Sequence, residues 1–359
     1  MAWLDRDQKP VRFTLVTSVA SGLVVSVILK AFSGGIADGV VLMWFTLAAG
    51  GAAAVAFVAR SVFLGARKRS ARVFLMTSAF SQKYYVAALV QRLHSLLDRD
   101  GIDLVLKVPD RDYDASAQSH HLRRLLDRRH DYIGGIIVAA EVHRLRDDLI
   151  AFCRNSRLPV VFTDIEPFDT EDQYPKNTAY IGFDTGELGD LGGRWLAKTL
   201  QGTERPNVLI IASREHNARQ QRCEQALRAA LPDVNITIND GCAFIRSRAH
   251  DAVRAHIRRL APGQRLDAIF CTNDEMALGA VDALSSLPDH ASQDTIVVGI
   301  DGVQETRALI DNAQSPLRAT VVQDADRLAS GVVDLLEKMH RNRLVAKRTI
   351  LSAEIHEVT

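Results

Sequence analysis

Two hydrophobic runs without charged residues, 13–29 and 40–59, stand out near the start of the 359-residue chain. Each is close to the roughly 20 residues that a helix needs to cross a bilayer. A short turn containing Gly34, Gly35 and Asp38 separates the two runs. The pattern predicts a two-helix transmembrane hairpin, which a basic juxtamembrane segment connects to the rest of the chain.

Positive charge gathers at the outer flanks of this hairpin, at Arg6, Lys9 and Arg12 before it and at Arg60, Arg67, Lys68, Arg69 and Arg72 after it. The positive-inside rule places both flanks in the cytoplasm. We therefore expect an inner-membrane protein whose remaining chain faces the cytoplasm. Two alternatives stay open, namely a hairpin buried in a soluble domain and a cleaved secretory signal. The signal would leave the chain in the periplasm only if the second run did not span the membrane.

From Arg72 onward, short apolar runs alternate with amphipathic segments of helical length. Strands are predicted at 73–77, 103–108, 135–139, 159–163, 207–211, 235–239, 268–271, 295–300 and 317–322, with helices between them. Such alternation is typical of βαβ units and a parallel sheet. In a segment of this length it predicts an α/β fold of two doubly wound parallel-sheet lobes with one cleft.

Composition argues against several classes of function. Lysine and arginine total 44 against 43 acidic residues, so the formal net charge of +1 creates no field that attracts nucleic acid. The four cysteines are widely spaced and form no metal-binding motif. The sequence also lacks GxGxxG, GK[ST], GxSxG and HExxH patterns. We therefore predict no metal, no cofactor and no enzymatic activity.

Polar residues follow the predicted strands in both halves of this region: Asp164, Asn273, Asp274, Asp301 and Gln323. In open parallel sheets, ligands bind at the carboxyl ends of the strands. Each of these residues also suits a simple helix cap or turn. Their repetition in both lobes favours a site for a small polyhydroxylated ligand, whose hydroxyl groups pair with carboxylates and amides.

Six segments carry a resemblance to a known family: 158–164, 180–184, 218–222, 268–279, 297–302 and 319–323. In their order and spacing, the chain from Arg72 onward resembles the type I periplasmic-binding-protein fold of ribose- and galactose-binding proteins and LacI-type ligand-binding domains. The resemblance implies polar ligand contacts from Asp164, Arg222, Asn273, Asp301 and Gln323. It also implies that Tyr84 and Tyr85 cover a sugar ring and that Gln82 supplies an amide.

The chain departs from the family pattern at three places. Ile165 stands where family sugar binders often carry arginine, Ala139 stands near a common asparagine position, and residues 223–226 lack the usual glycine. These departures argue against a standard pentose or hexose pocket and leave a modified sugar, a polyol or another small polar compound as candidate ligands. Membrane spans are predicted where repressors carry a DNA-binding headpiece, so no nucleic-acid partner is expected.

The resemblance further implies crossovers near Asp184, near Gln323 and near the C-terminus, which form a hinge for lobe closure. The predicted division is an anchor at 1–71, a first lobe of 72–183 with 324–351, and a second lobe of 184–323 with 352–359. The leading hypothesis is a membrane-anchored sensor that closes on its ligand and signals to a membrane or signalling protein. The alternatives are a periplasmic receptor of an ABC-type sugar transporter and a ligand-gated two-helix membrane effector.

Overall fold

The structure is a computed structural model that describes residues 71–79, 84–261, 263–287 and 294–358. Strands and helices alternate along this part of the chain. The elements up to the first crossover are β1 (Ala71–Met76), α1 (Tyr84–Arg99), β2 (Ile102–Lys107), α2 (Ala115–Asp127), β3 (Gly134–Ile137), α3 (Val142–Ser156), β4 (Val160–Thr163) and β5 (Thr178–Phe183).

The elements that follow are α4 (Thr185–Thr199), β6 (Asn207–Ile211), α5 (Asn217–Ala230), β7 (Asn235–Asn239), α6 (Arg246–Ile257), β8 (Ala268–Cys271), α7 (Asp274–Ser285), β9 (Ile296–Asp301), α8 (Gln304–Asp311), β10 (Leu317–Val322), α9 (Ala325–His340), β11 (Arg348–Leu351) and β12 (Glu354–Glu357). Short 3₁₀ helices lie at Arg129–Asp131, Glu171–Gln173 and Arg214–His216.

Two six-stranded sheets organise these elements. The strand order is β11-β5-β4-β3-β1-β2 in the first sheet and β12-β10-β9-β8-β6-β7 in the second. Neighbouring strands such as β3 and β4, or β6 and β8, pair in parallel, whereas β12 pairs antiparallel with β10. The predicted α/β fold with two parallel-sheet lobes is confirmed.

The strands are buried because helices cover the sheets, as the βαβ connections require. Every residue of β3, β4 and β8 is buried. Helix α1 turns a single stripe toward the first sheet, formed by Tyr85, Leu89, Leu93 and Leu97 at a spacing of four residues. The helices therefore show apolar residues at a spacing of about four because one face is buried. The central strands show continuous apolar runs because both of their faces are buried.

The chain passes between the sheets three times. Asp184 follows β5 and caps α4 by accepting hydrogen bonds from the backbone N–H groups of Gly186 and Glu187. Asp324 follows β10 and caps α9, which packs against α1 on the first sheet. The third crossing joins β11 of the first sheet to β12 of the second. Three connections therefore join the two lobes.

The strand pattern missed β5, β11 and β12. Gly182 interrupts the apolar run of β5, and it is needed there because a Cβ would overlap the buried side chain of Tyr180. Strands β11 and β12 carry charged residues, since each forms one edge of its sheet. Their short, mixed sequences therefore lack the continuous apolar character that marks a central strand.

The predicted transmembrane hairpin at 13–29 and 40–59 lies outside the described residues. Within the described part of the chain, no helix combines the length and apolar character needed to cross a membrane.

Candidate ligand-binding site

A cavity lies between the two lobes, at the carboxyl ends of the central strands. The first lobe lines it with Ser78, Ala79, Tyr85, Val86, Tyr113 and Asp164. The second lobe lines it with His216, Arg219, Phe244, Asn273, Glu275, Asp301 and Gln323. Of the predicted contacts, Tyr85, Asp164, Asn273, Asp301 and Gln323 are thus brought together across the cleft.

Tyr85 comes from the first turn of α1 and is 8% exposed. Its hydroxyl is buried and has no hydrogen-bond partner in the described structure. Burial, followed by the negative charges of Asp164 and Asp301, raises the pKa of Tyr85 well above its usual value. The phenol therefore stays protonated and offers an O–H donor to a ligand in the cleft.

Aromatic rings from both lobes meet at one side of the cavity. Tyr113 of the first lobe faces Phe244 of the second, with ring centroids 5.8 Å apart. His216 lies edge-on to Phe244 at 4.7 Å. Tyr113 has a positive φ of 61°, and its backbone N–H donates to the Ser78 carbonyl at 2.7 Å. This contact holds the Tyr113 loop against the end of β1.

Asn273 both caps helix α7 and lines the cavity. Its Oδ1 accepts the Met276 N–H at 3.0 Å and caps α7. Its Nδ2 donates to Oε2 of Glu275 at 2.6 Å, and Glu275 is only 1% exposed. The capping role weighed from the sequence is therefore present, and the same side chain also lines the cleft.

Asp301 lies at the centre of a buried polar cluster. Its Oδ1 accepts from Gln323 Nε2 at 2.7 Å and from Arg219 Nη1 at 3.4 Å. Arg219 is 1% exposed, and its Nη1 also donates to the Thr272 carbonyl at 2.9 Å. The Nε of Arg219 is buried and lacks a hydrogen-bond partner in the described structure. This nitrogen is therefore a second donor for which the protein supplies no acceptor.

Backbone geometry fixes the direction of the Asp301 carboxylate. Asp301 has a φ of 124° and Gly302 a φ of 70°, so the turn after β9 occupies a region that side-chain-bearing residues rarely adopt. Asp274 lies behind this turn and accepts from the Val303 N–H and the Thr320 hydroxyl, each at 2.8 Å. These bonds hold the strained turn in place.

Asp274 is completely buried. Burial, followed by the negative charge of Asp301, raises the pKa of Asp274 well above its usual value, although the hydrogen bonds from Thr320 and Val303 act in the opposite direction. Gly299 makes room for this carboxyl group, because a Cβ there would overlap Asp274 Oδ1. Asp274 therefore supports the site from within the second lobe.

Two predicted contacts, Arg222 and Tyr84, have other positions, and a third falls outside the described residues. Arg222 is exposed and lines a separate surface groove beside Asp184 and Gln225. The arginine in the cavity is Arg219, one turn earlier on α5. The ring of Tyr84 is 52% exposed, although its backbone N–H donates across the cleft to Glu275 at 2.8 Å. Gln82 lies outside the described residues.

The pattern of α5 contains the signal for Arg219. Arg219, Cys223 and Leu227 are the buried residues of this helix, at a constant spacing of four. The resemblance placed the contact at Arg222, whereas the helical phase aligns Arg219 with the two apolar residues of the inner face. Glu275, Tyr113 and Phe244 were also missed. Glu275 is a carboxylate in a helix that is buried continuously from Asp274 to Ala280.

The cavity has a volume of about 30 Å³, roughly the share of one water molecule in the liquid. Pockets for small ligands typically measure about 300–1,000 Å³. The cavity as it stands is therefore too small for a ring-sized ligand. A second cavity of about 240 Å³ adjoins the first and shares Asp164 and His216 with it.

Metal ligation has no obvious location in the described part of the chain. No cluster of at least three His, Cys, Asp or Glu side chains there is arranged to hold an ion. Cys153, Cys223, Cys242 and Cys271 are buried free thiols. Burial raises the pKa of the Cys153 thiol to about 12 and that of Cys242 to about 11. These cysteines therefore act as small apolar residues.

Known proteins are similar to this region in sequence or in fold. A predicted rhizopine-binding protein of Rhizobium meliloti is 25% identical over 71% of this chain and 80% of its own length. The HTH-type transcriptional repressor PurR of Mannheimia succiniciproducens is 27% identical over 78% of this chain and 77% of its own. A periplasmic solute-binding protein of an ABC transporter from Actinobacillus succinogenes, solved with D-allose, superposes with a TM-score of 0.68 at 16% identity, over 80% of this chain and 97% of that one.

Residues 73–343 match the family model of the periplasmic binding protein domain. This range covers both sheets except for their edge strands β11 and β12. The family and fold are those of ligand-binding proteins, which include solute-binding proteins and repressors, and not those of enzymes. The chain belongs to the periplasmic binding protein domain family.

Proposed function

We propose that this protein binds a small polyhydroxylated, sugar-like ligand between its lobes and closes on it. One observation carries the proposal: carboxylates, amides, a guanidinium and aromatic rings from both lobes line a single interlobe cavity. Such a mixture suits a compound with a ring of hydroxyl groups and an apolar ring face. The D-allose bound by the solute-binding protein of A. succinogenes supports this ligand class.

The polar groups of the cavity include both hydrogen-bond donors and hydrogen-bond acceptors for a ligand. Arg219 Nε and Tyr85 Oη are buried donors without a protein acceptor, so each gains a hydrogen bond when a ligand hydroxyl arrives. Asp301 and Asp164 supply carboxylate acceptors from opposite lobes. A ligand that reaches both lobes stabilises the closed state relative to the open one, which is the origin of ligand-driven closure.

The test is a binding screen on the full-length protein with D-allose, D-ribose, D-galactose and myo-inositol, followed by thermal unfolding and calorimetry. We expect at least one compound to raise the melting temperature, because a ligand that binds only the folded state stabilises it. Asn273→Ala and Asp301→Ala should each abolish the stabilisation. Asp334→Asn is the matched control, because Asp334 is exposed on α9 and pairs only with Lys338 among the contacts described.

Two outcomes would contradict this assignment. One is stabilisation that survives in both the Asn273 and the Asp301 variants. The other is a wild-type protein that responds to none of the polyhydroxylated compounds at millimolar concentration.

We also propose that the binding domain is a membrane-anchored sensor facing the cytoplasm, which signals to a membrane or signalling protein. The charge-free runs at 13–29 and 40–59 and the basic residues outside them support this arrangement. Reporter fusions at the C-terminus, active only in one compartment, test the topology. A cytoplasmic result supports the sensor, and a periplasmic result favours a receptor that delivers solute to an ABC transporter.

A third arrangement is a ligand-gated membrane effector whose spans associate. The small residues at 48–54 favour it, because they allow close packing of transmembrane helices. Cross-linking in membranes with and without ligand separates this arrangement from a simple anchor. Ligand-dependent oligomers favour the effector, and unchanged monomers exclude it.

A further inference from the structure

The parallel strands of the first sheet begin at one common edge. Strands β1, β3, β4, β5 and β11 pair in parallel, so the connections that enter them meet at the amino ends of the strands. Two hydrogen bonds tie these connections together. The Nδ2 of Asn177 donates to the Arg157 carbonyl at 3.1 Å. The Nζ of Lys347 donates to the Lys176 carbonyl at 2.9 Å. These connections form the amino edge of the first lobe, opposite the edge that lines the ligand cavity.

Basic residues outnumber acidic residues at this amino edge. The connections that enter β2, β3, β4, β5 and β11 are 100–101, 128–133, 157–159, 174–177 and 341–347. Against the acidic residues Asp100 and Asp131, they contain the basic residues Arg128, Arg129, Arg157, Lys176, Arg341, Arg343 and Lys347. The opposite edge has the reverse balance. Its described residues, at 77–79, 108–114, 138–141, 164–170 and 184, contain Arg111 against Asp110, Asp112, Asp114, Glu141, Asp164, Glu166, Asp169 and Asp184. The first lobe therefore has one positive edge and one negative edge.

Some of the basic residues are paired within the edge itself. Arg128 binds Asp131 at 3.1 Å, and Arg341 binds Glu337 at 2.8 Å. Three others are exposed and form no ion pair with a described residue: Arg157, Lys176 and Arg343. They precede β4, β5 and β11, which are neighbours in the sheet. Because neighbouring strands lie about 4.8 Å apart, the three cations concentrate positive potential on one part of the surface.

A fully exposed leucine stands beside these cations. Leu344 follows Arg343 and has a relative exposure of 101%. The turn before it is well defined, because Asn342 has a φ of 55° and its N–H donates to the Met339 carbonyl at 3.0 Å. The Arg343 N–H donates to the Lys338 carbonyl at 2.9 Å, which completes a Schellman motif at the end of α9. A single exposed leucine is ordinary, but a leucine among cations matches the chemistry of a surface that meets lipid headgroups.

The chain enters the first lobe at this same edge. Strand β1 begins at Ala71, and the eleven residues 60–70 separate it from the second charge-free run. Fully extended, this segment spans at most about 40 Å. It contains no acidic residue and four basic ones, namely Arg60, Arg67, Lys68 and Arg69. A membrane anchor in the charge-free runs would therefore keep the amino edge within reach of a bilayer.

We propose that the amino edge of the first lobe docks on an anionic phospholipid surface. Arg157, Lys176 and Arg343 bind the headgroups, and Leu344 inserts between them. This inference rests on the membrane anchor of the proposed function and adds the orientation of the binding domain. The ligand cavity lies at the opposite edge, so it faces away from the bilayer and toward the solution that supplies a polar ligand.

The test uses the full-length protein in nanodiscs of phosphatidylcholine alone or with about 30% phosphatidylglycerol. Ala346→Cys carries an environment-sensitive fluorophore, because Ala346 is exposed in the same connection as Leu344 and the native cysteines are buried. Asp110→Cys, exposed at the opposite edge, is the matched control for the label. We expect the emission at position 346 to shift to the blue only in the anionic discs, and about 0.5 M sodium chloride to reverse the shift. The emission at position 110 should not change.

Charge variants identify the residues that bind lipid. Each basic residue near an anionic surface changes the equilibrium about fivefold, so Arg157→Gln combined with Arg343→Gln should lower the ratio of docked to undocked protein about 25-fold. Arg111→Gln combined with Arg205→Gln is the matched control. It removes the same charge from exposed positions outside the amino edge, and Arg205 shares the positive φ of Arg157. Leu344→Ser should lower the ratio at least about threefold.

Equal emission in neutral and anionic discs would overturn the inference while leaving the anchor intact. The same holds if the two double variants lose docking equally. If the protein fails to enter the discs, the anchor is wrong, and co-flotation with vesicles of the same two compositions then tests docking by itself. Flotation with anionic vesicles only, lost in the Arg157 and Arg343 double variant, would support docking without an anchor. Flotation with neither vesicle would overturn both.

Discussion

The carboxylate of Glu275 in the second lobe accepts a hydrogen bond at 2.8 Å from the backbone N–H of Tyr84, which lies 191 positions away in the first lobe. Tyr84 begins α1, so the carboxylate sits at the N-terminus of a helix from the opposite lobe, where the helix dipole favours negative charge. The other oxygen of Glu275 holds Asn273 at 2.6 Å. One side chain therefore links the start of α1 in the first lobe to Asn273, which lines the cavity from the second lobe.

Replacing Glu275 by glutamine should favour the open state. The change keeps the side-chain shape but removes the charge that faces α1, and hydrogen bonds to charged groups contribute about 1.5–3 kcal/mol. We expect ligand affinity to fall about tenfold and the radius of gyration of the ligand-free protein to increase in small-angle scattering. Glu204→Gln, at an exposed position in the loop after α4, is the control. An unchanged radius of gyration and affinity would show that this contact does not hold the lobes together.

Arg219→Ala should be far more damaging than Arg222→Ala. Removal of Arg219 leaves the buried Asp301 carboxylate without its guanidinium partner, and breaking a buried ion pair costs about 3–5 kcal/mol. Arg222 is exposed, so its removal should change stability by less than about 0.5 kcal/mol. Urea unfolding and calorimetric binding measure both effects. If Arg222→Ala lost ligand binding and Arg219→Ala kept it, Arg222 would be the ligand contact, as the family resemblance implied.

Tyr85→Phe should raise the stability of the folded protein and lower its affinity for the ligand. The variant removes a buried hydroxyl that has no partner, so the free energy of unfolding should rise by up to about 1 kcal/mol. Ligand affinity should fall about fivefold to tenfold, because a donor is lost. Tyr174→Phe provides the contrast, since its hydroxyl donates to Glu166 at 3.2 Å and its loss should destabilise the protein. A destabilised Tyr85→Phe would indicate that the hydroxyl has a structural partner.

Asp274 should make stability depend on pH. Its pKa is raised in the folded state, so the folded protein binds a proton more tightly than the unfolded chain does. This contribution is complete below the unfolded pKa of about 4 and is lost as pH rises through the folded pKa. In urea titrations from pH 5 to pH 8, the loss of stability with rising pH should be smaller in Asp274→Asn than in the wild type. Parallel curves for the two proteins would contradict this account.

Gly189→Ala should displace Arg219, although Gly189 itself does not line the cavity. A Cβ at Gly189 in α4 would overlap the backbone carbonyl of Arg219, so α5 must shift and carry Arg219 with it. We expect a loss of about 1–3 kcal/mol in unfolding free energy and a weaker ligand complex. Gly241→Ala is the matched control, because the nearest atom to its Cβ would be a side-chain oxygen 3.5 Å away. Equal stability of the two variants would show that the helices tolerate separation.

The fold class was predictable because burial imposes a simple pattern. Strands such as β8 are buried at every position, and helices such as α1 bury one residue in four. The same logic fails for β12, an edge strand that reads Glu354-Ile-His-Glu357 and has no buried residue. Its place in the sheet depends on pairing with β10. This pairing joins distant parts of the structure and cannot be read from the local order of apolar and polar residues.

The candidate site was predictable where a residue follows a strand directly. Asp164, Asp301 and Gln323 lie immediately after or at the end of β4, β9 and β10, so sheet topology alone brings them to one edge. Arg219 and Phe244 come from an intervening helix and loop, whose orientation depends on packing between α4 and α5 and on a φ of 60° at Phe244. Such details arise from tertiary contacts, which strand-end reasoning does not reach.

The three crossings between lobes also determine the order in which the protein can be completed during translation. Strand β11 and helix α9 belong with the first sheet but are synthesised after the whole second sheet up to β10. At about 5–20 residues per second, the ribosome needs roughly ten seconds to make the intervening segment. Throughout that interval the nascent first lobe exposes the edge of β5, with which β11 later pairs, and the side of α1 against which α9 later packs. Because an unpaired strand edge can pair with other chains, completion of β11 also removes a site of aggregation.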